Sequence, residues 1–279
     1  MPLLARFGEQ SRGESPESEK REKEKLEIFL EEISEKLKAE GIPVEDDCRI
    51  DMGAFGEVYS KEVIQRDRGW VRKCEKEWYG DISEEEIKEE KLKRTGEKLE
   101  MLKTAIFSKF LEEEFFVVRT SAYDDIKNKS DNVMVEKETG NVICAFDEVG
   151  ETSGARYEAK KAEVLARNRR ETGGRLKYGL RWEKDEEGQE KIVLAEVESA
   201  PIFYLALPQR HIEEGIRELV PSFDESSEYE RNLFSYFLTT ITAQAEFLCL
   251  EPRLRPTLKK RLDSFKTTLA KLRSKDEKI

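Results

Sequence analysis

Histidine is nearly missing from this chain: of 279 residues only His211 is one. A Ser-His-Asp triad, a histidine-rich zinc site or a histidine nucleophile would each have to use that single residue. It stands in Pro-Gln-Arg-His-Ile-Glu-Glu at a predicted helix start, where a surface or capping role is expected. Cysteine is sparse and scattered. Cys48, Cys74, Cys144 and Cys249 form no CxxC pair, which suggests neither a zinc knuckle nor a disulfide framework. Cys144 falls in a predicted strand and Cys249 in a predicted helix, where a free thiol packs as a small apolar group. No apolar run approaches the ~20 residues that span a bilayer. Arg6, Glu9 and Arg12 interrupt the start of the chain, so no apolar leader is read there. These absences lead to the expectation of a protein of the reducing cytoplasm without a membrane partner.

What the chain has instead is charge. Charged residues make up 40% and hydrophobic residues 37%, with a net charge of -11. Such a balance argues against coating nucleic acid through bulk charge, but leaves room for a local basic face. With histidine and cysteine set aside, carboxylates are the side chains that could carry chemistry.

Residues 1–18 lack periodicity and read as a disordered tail. Residues 19–80 read as a helical extension, with Leu26, Phe29, Leu30, Ile33 and Leu37 at helical spacing before Gly41-Ile42-Pro43. Gly53-Ala54-Phe55-Gly56-Glu57-Val58-Tyr59 has the look of half a kinase glycine loop. The first glycine is missing, no Val-Ala-Ile-Lys follows, and neither His-Arg-Asp nor Asp-Phe-Gly occurs; a turn before a helix (Ser60–Tyr79) is the better reading. A further helix is expected from Ser83 to about Glu112, amphipathic in its second half. Glu100 and Lys103 fall within its apolar stripe at about 100° per residue. Such groups either snorkel to a rim or stand beside an active site.

The stretch from Phe115 to Val149 is the most informative. Phe115–Val118 reads as a strand, and Asn132–Val135 and Val142–Phe146 as a hairpin around Glu-Thr-Gly-Asn. Asp131 stands at the start of the second strand, Asp147 and Glu148 at the end of the third. Antiparallel pairing brings those two ends side by side. Like charges placed together need a cation or a proton to compensate them, so these acids are either a metal site or a solvated edge. Beyond lie a helix (Ala155–Arg170), a hairpin (Leu176–Glu183 and Lys191–Glu198) around Asp185–Gly188, a buried strand (Pro201–Leu207) and three helices: Arg210–Leu219, Glu225–Leu250 and Pro256–Arg273. Charge is unevenly spread. From Asp124 to Ser153 eight acids face three lysines, net −5; from Arg156 to Arg181 nine bases face three acids, net +6. An acidic hairpin beside a basic helix and strand suits a cation and a polyanion held together.

The order helix, three strands, helix, strand, with acids at the second strand's start and the third strand's end, resembles the PD-(D/E)xK nuclease core over roughly residues 86–198. The resemblance implies an α/β (α+β) fold: a restriction-endonuclease-like αβββαβ core (residues 81–208) with an extra hairpin and helical N- and C-terminal extensions, the latter a bundle over 209–279. It implies that Asp131 and Asp147 or Glu148 hold a divalent cation, Mg2+ or Mn2+, which polarises a phosphodiester. Glu100 would stand for the helical glutamate of some members. The family's lysine follows its acid by two residues; here those places are Val149 and Gly150. Some members carry the lysine on the next helix, where Lys160 or Lys161 could serve. Arg167, Arg169, Arg170 and Arg175 would hold phosphate, making nucleic acid the partner of the Arg156–Arg181 segment. Two alternatives stand beside this: a nuclease-like fold without catalysis whose terminal helices bind a protein, and a nucleotidyltransferase. Against the second, Ser130-Asp131-Asn132-Val133 has one of the two expected aspartates, and Arg119-Thr120-Ser121 lacks the glycine.

Overall fold

The computed structural model describes residues 16–169, 173–184, 190–252 and 254–276. The expected tail falls almost wholly outside these residues, as do Arg170 and the Asp185–Gly188 turn. The described chain is a mixed α/β protein. Its helices are α1 (Pro16–Ala39), α2 (Lys61–Tyr79), α3 (Glu84–Leu92), α4 (Thr95–Phe110), α5 (Ala122–Asn128), α6 (Ala155–Arg169), α7 (Gln209–Glu218), α8 (Glu228–Cys249) and α9 (Pro256–Asp276). Its strands are β1 (Phe115–Arg119), β2 (Asn132–Glu136), β3 (Val142–Val149), β4 (Gly174–Lys184), β5 (Glu190–Ala200) and β6 (Ile202–Ala206).

A four-stranded mixed sheet runs in the order β1-β2-β3-β6. β1, β2 and β3 are antiparallel neighbours, while β6 pairs parallel with β3. The β2–β3 turn closes as the sequence predicts: Glu136 N donates to Asn141 O at 3.0 Å, and Gly140 takes the left-handed φ of 60° that a tight turn needs. β4 and β5 form a separate two-stranded ribbon inserted between α6 and β6. The free edge of β1 is covered. Ile50 N donates to Arg119 O and Arg119 N to Cys48 O, both at 3.0 Å, so the segment after α1 lies along the edge as a one-residue parallel bridge.

The expected helix from Ser83 to Glu112 is two. Arg94 is extended (φ -80°, ψ 134°) and breaks it into α3 and α4. α3 starts on a capping box between Ser83 and Glu86, as its sequence foretells. α4 is not amphipathic. Every residue from Leu99 to Lys109 is buried, because α1, α7 and α8 cover the side that β1 and β3 do not. Phe107 packs its ring against Phe146 of β3 (centroids 5.6 Å apart) and Phe237 of α8 (5.6 Å). α8 also packs on β6, and α9 on β3, with Phe265 stacked on Phe203. One buried core therefore runs from Leu26 to Leu269. The Gly53–Tyr59 stretch overlaps a 3-10 turn, Met52–Glu57, with Phe55 buried. α5, between β1 and β2, is absent from the sequence reading; Ser121 caps it by accepting from Asp124 N.

Candidate functional site

Backbone register decides which acids meet. Asn132 pairs with Phe146 across the hairpin, so Asp131 falls opposite Asp147, and Asp131 N donates to Phe146 O at 2.8 Å. Glu148 N donates to Asp131 Oδ2 at 2.8 Å. Strand alternation then separates the last two acids. Asp147 faces α6, where it accepts from Lys160 Nζ at 2.6 Å and lies 3.8 Å from Arg167. Glu148 faces α4 and is ion-paired with Lys103. The α4 contribution comes from one helical face, with Glu97, Glu100 and Lys103 three residues apart.

Neither Glu100 nor Lys103 snorkels to a rim: they are 5% and 0% exposed. Burial in a low-dielectric interior disfavours the charged form of each group here. It pushes Lys103 down to about 7, against the pull of Asp131 and Glu100. It pushes Glu100 up to about 7, with Glu97 and Asp125 adding to the rise and Arg119 and Arg49 opposing it. Asp131 is held well above the usual carboxylate range by burial and then by Asp147. Asp147 is raised by burial despite Lys160 and Arg167. Asp147 and Glu148 are buried and Asp131 is half-buried, so the end of the hairpin is not a solvated edge.

Glu100 belongs equally to a second group of charges that sequence reasoning did not single out. Arg119, wholly buried at the end of β1, donates from Nε to Glu100 at 2.8 Å and from Nη1 to Asp47 at 2.7 Å, and also binds Glu97. Arg49 lies 3.4 Å from Glu100 and 3.0 Å from Asp125. A signal was there in Phe-Phe-Val-Val-Arg, a charge closing an apolar strand. Its acidic partners, spread from Asp47 to Asp125, carry no sequence spacing that reveals them. A cavity of about 890 Å³ opens on this group, with Asp47, Arg49, Glu97 and Arg119 in its wall.

The remaining predicted residues disperse. Lys160 and Arg167, seven apart, share the face of α6 that meets β3. Lys161 is rotated off that face, 47% exposed and 3.9 Å from Glu158. Arg169 pairs with Glu251 at 2.6 Å, and Arg175 with Glu196 at 3.3 Å on the β4–β5 ribbon. Arg167, Arg169 and Arg175 do not share one interaction group, and Arg170 is outside the described residues. His211, expected at a surface or cap, is 5% exposed, its ring Nδ1 3.0 Å from the Tyr229 hydroxyl.

The donor set is all carboxylate oxygen, the chemistry that hard cations such as Mg2+ and Mn2+ prefer. Asp147 Oδ2 is buried without a hydrogen-bond partner, which leaves it capacity for a further ligand. As the side chains stand, no three His, Cys, Asp or Glu groups converge tightly enough to hold a metal among the described residues. Among the same residues no helix is long and apolar enough to cross a membrane. Comparison of the chain with family models, curated proteins and solved structures gives no match.

Proposed function

We propose that this protein is a divalent-metal-dependent nuclease on a PD-(D/E)xK-like core, acting at Asp131, Asp147 and Glu148. One observation carries the reading. Asp131 at the start of β2 lies across from Asp147 at the end of β3, at one end of a mixed sheet, with a lysine of α4 ion-paired to the neighbouring Glu148. The succession α4-β1-β2-β3-α6-β6, with β6 parallel to β3, supports it, since this is the αβββαβ order with one helix and one ribbon inserted.

Asp131 and Asp147, side by side across the β2–β3 pair, would hold the cation, while Glu148 on the opposite face is committed to Lys103. When bound, a divalent cation polarises a phosphodiester and lowers the pKa of its water. Lys103 fills the role left vacant at Val149. Burial lowers its Nζ from the ordinary lysine range, and the ion pair with Glu148 holds it at the end of β3. Arg119 fixes Glu100 beside this group, and Lys160 and Arg167 offer positive charge to a phosphate on the α6 side.

The test is cleavage of labelled DNA and RNA, single- and double-stranded, with Mg2+ or Mn2+. Wild type is expected to cut, and Asp131→Asn and Lys103→Met to lose at least a hundredfold in rate. Cutting that survives Asp131→Asn removes the site assignment. A second reading, the same fold without catalysis, is favoured by the ammonium already seated on each β3 acid. It predicts no cleavage by wild type with either metal.

A further inference from the structure

The cavity of about 890 Å³ is walled by α1, α2, α3, α4 and the segment 45–52, and none of the hairpin acids lines it. Its volume falls within the roughly 300–1,000 Å³ of small-molecule sites. Ile28, Met52, Val71, Ile87 and Met101 give the wall an apolar part, and Ile28 is 62% exposed. The charges around it do not balance. Arg49 and Arg119 are shared among four carboxylates, Asp47, Glu97, Glu100 and Asp125. Two guanidiniums leave negative charge over when all four are ionised. Burial raises Glu100 to about 7 against the pull of Arg119 and Arg49, and Glu97 and Asp125 add to the rise, so a proton meets part of that excess. The wider wall repeats the imbalance, with nine acids and six bases. Three of the bases outside the cluster are already paired: Arg68 with Asp51, Arg72 with Glu84 and Lys91 with Glu75. Lys88, the sixth, acts on Asp47 from longer range. Glu27, Glu31 and Glu45 stand in the wall with no base at ion-pair distance among the described residues. Burial raises the Glu45 carboxyl, and Asp47 raises it further. A cation is therefore the complementary ligand, and the volume and apolar wall call for one with a carbon frame.

We propose that this cavity binds a linear aliphatic polyamine, whose ammonium groups compensate the carboxylate excess while its methylenes cover the apolar wall. Ammoniums spaced along an alkyl chain suit acids that are spread over several helices with apolar side chains between them. The site is independent of the nuclease reading, and its failure leaves that reading untouched.

The test is calorimetric titration of the full chain with spermidine at about 0.15 M salt, where attraction between exposed charges is screened beyond about 8 Å. Saturable binding to one site per chain is expected. Glu27→Gln and Glu31→Gln together are expected to weaken it about fivefold, the scale of two partly exposed ion pairs. Glu32→Gln and Glu246→Gln remove the same charge from exposed positions outside the cavity and should leave the affinity as in wild type. Trilysine, of similar charge on a bulkier frame, and Mg2+ should both bind more weakly than spermidine. Absence of binding at millimolar spermidine overturns the proposal. So do equal losses in the two double variants, or trilysine or Mg2+ binding as tightly as spermidine.

Discussion

Lys103 on α4 and Glu148 on β3 form an ion pair with neither side chain appreciably exposed, at 0% and 2%. The pair fastens the most buried helix to the last residues of the strand that carries the acids. Burying two charges costs several kcal/mol each, and their attraction repays it only while both are present. Lys103→Ala is therefore expected to destabilise the protein by ~3–5 kcal/mol, and Glu148→Ala by a similar amount. The double variant Lys103→Met, Glu148→Leu should recover most of that loss. Urea denaturation of the three proteins checks this; losses that simply add would mean the two side chains do not depend on each other.

Two buried groups, Lys103 and Glu100, contribute pH-dependent stability of opposite sign on the two sides of neutrality. Burial holds Lys103 at about 7 against an ordinary 10.5. Between those values the unfolded chain carries a proton that the folded one lacks, so stability rises with pH across that window. Burial holds Glu100 at about 7 against 4.5. Between these the folded chain holds the additional proton, so stability falls as pH rises. Each slope reaches at most about 1.4 kcal/mol per pH unit. Urea midpoints from pH 5 to 10 measure both limbs. Relative to wild type, Lys103→Met should reduce the rise above pH 7 and Glu100→Gln the fall below it; variants whose pH dependence matches wild type would refute the burial argument.

Asp67 of α2 ties the N-terminal helices to the β4–β5 ribbon. It accepts from the Tyr178 hydroxyl at 2.9 Å and from Lys177 Nζ, and is 3% exposed. Tyr178 is itself enclosed, edge-on to Phe55 at 5.0 Å and to Tyr59 at 5.5 Å. Asp67→Ala strands a buried hydroxyl and should cost ~1–3 kcal/mol. Tyr178→Phe leaves Asp67 its lysine and should cost less, ~0.5–1.5 kcal/mol. The order of the two urea midpoints is the measurement, and equal or inverted losses would show that the hydroxyl is not held by Asp67.

Gly150 lets β3 end against the first residue of α4. A Cβ there would stand 2.6 Å from Thr95 Cγ2 and 3.2 Å from Thr95 Cβ. Gly150→Ala should cost ~1–3 kcal/mol through overpacking. Thr95→Ser deletes the nearer carbon, so the Gly150→Ala, Thr95→Ser pair should melt higher than Gly150→Ala alone. If it does not, the contact is not the cause.

The sequence by itself determined the local pieces. Alternation and a Glu-Thr-Gly-Asn turn set the β2–β3 hairpin, and pairing geometry then obliged Asp131 to meet Asp147. A capping residue placed the start of α3, and α1, α2, α6, α7, α8 and α9 fall near the expected ranges, while α3 and α4 were expected as one helix and α5 was not expected. A single histidine and scattered cysteines left acids as the groups that could matter. Tertiary structure decided the rest, because it depends on what covers a face rather than on the face itself. Periodicity marked one apolar stripe on α4, but α1, α7 and α8 bury its other side too. That enclosure turned Glu100 and Lys103 from rim residues into buried charges. Lys160 and Lys161 are adjacent in sequence and alike in chemistry; the 100° between them on α6 gave Asp147 to the first. Arg119 gathers Asp47, Glu97 and Glu100 from across the chain, a grouping set by long-range packing that no spacing in the sequence encodes.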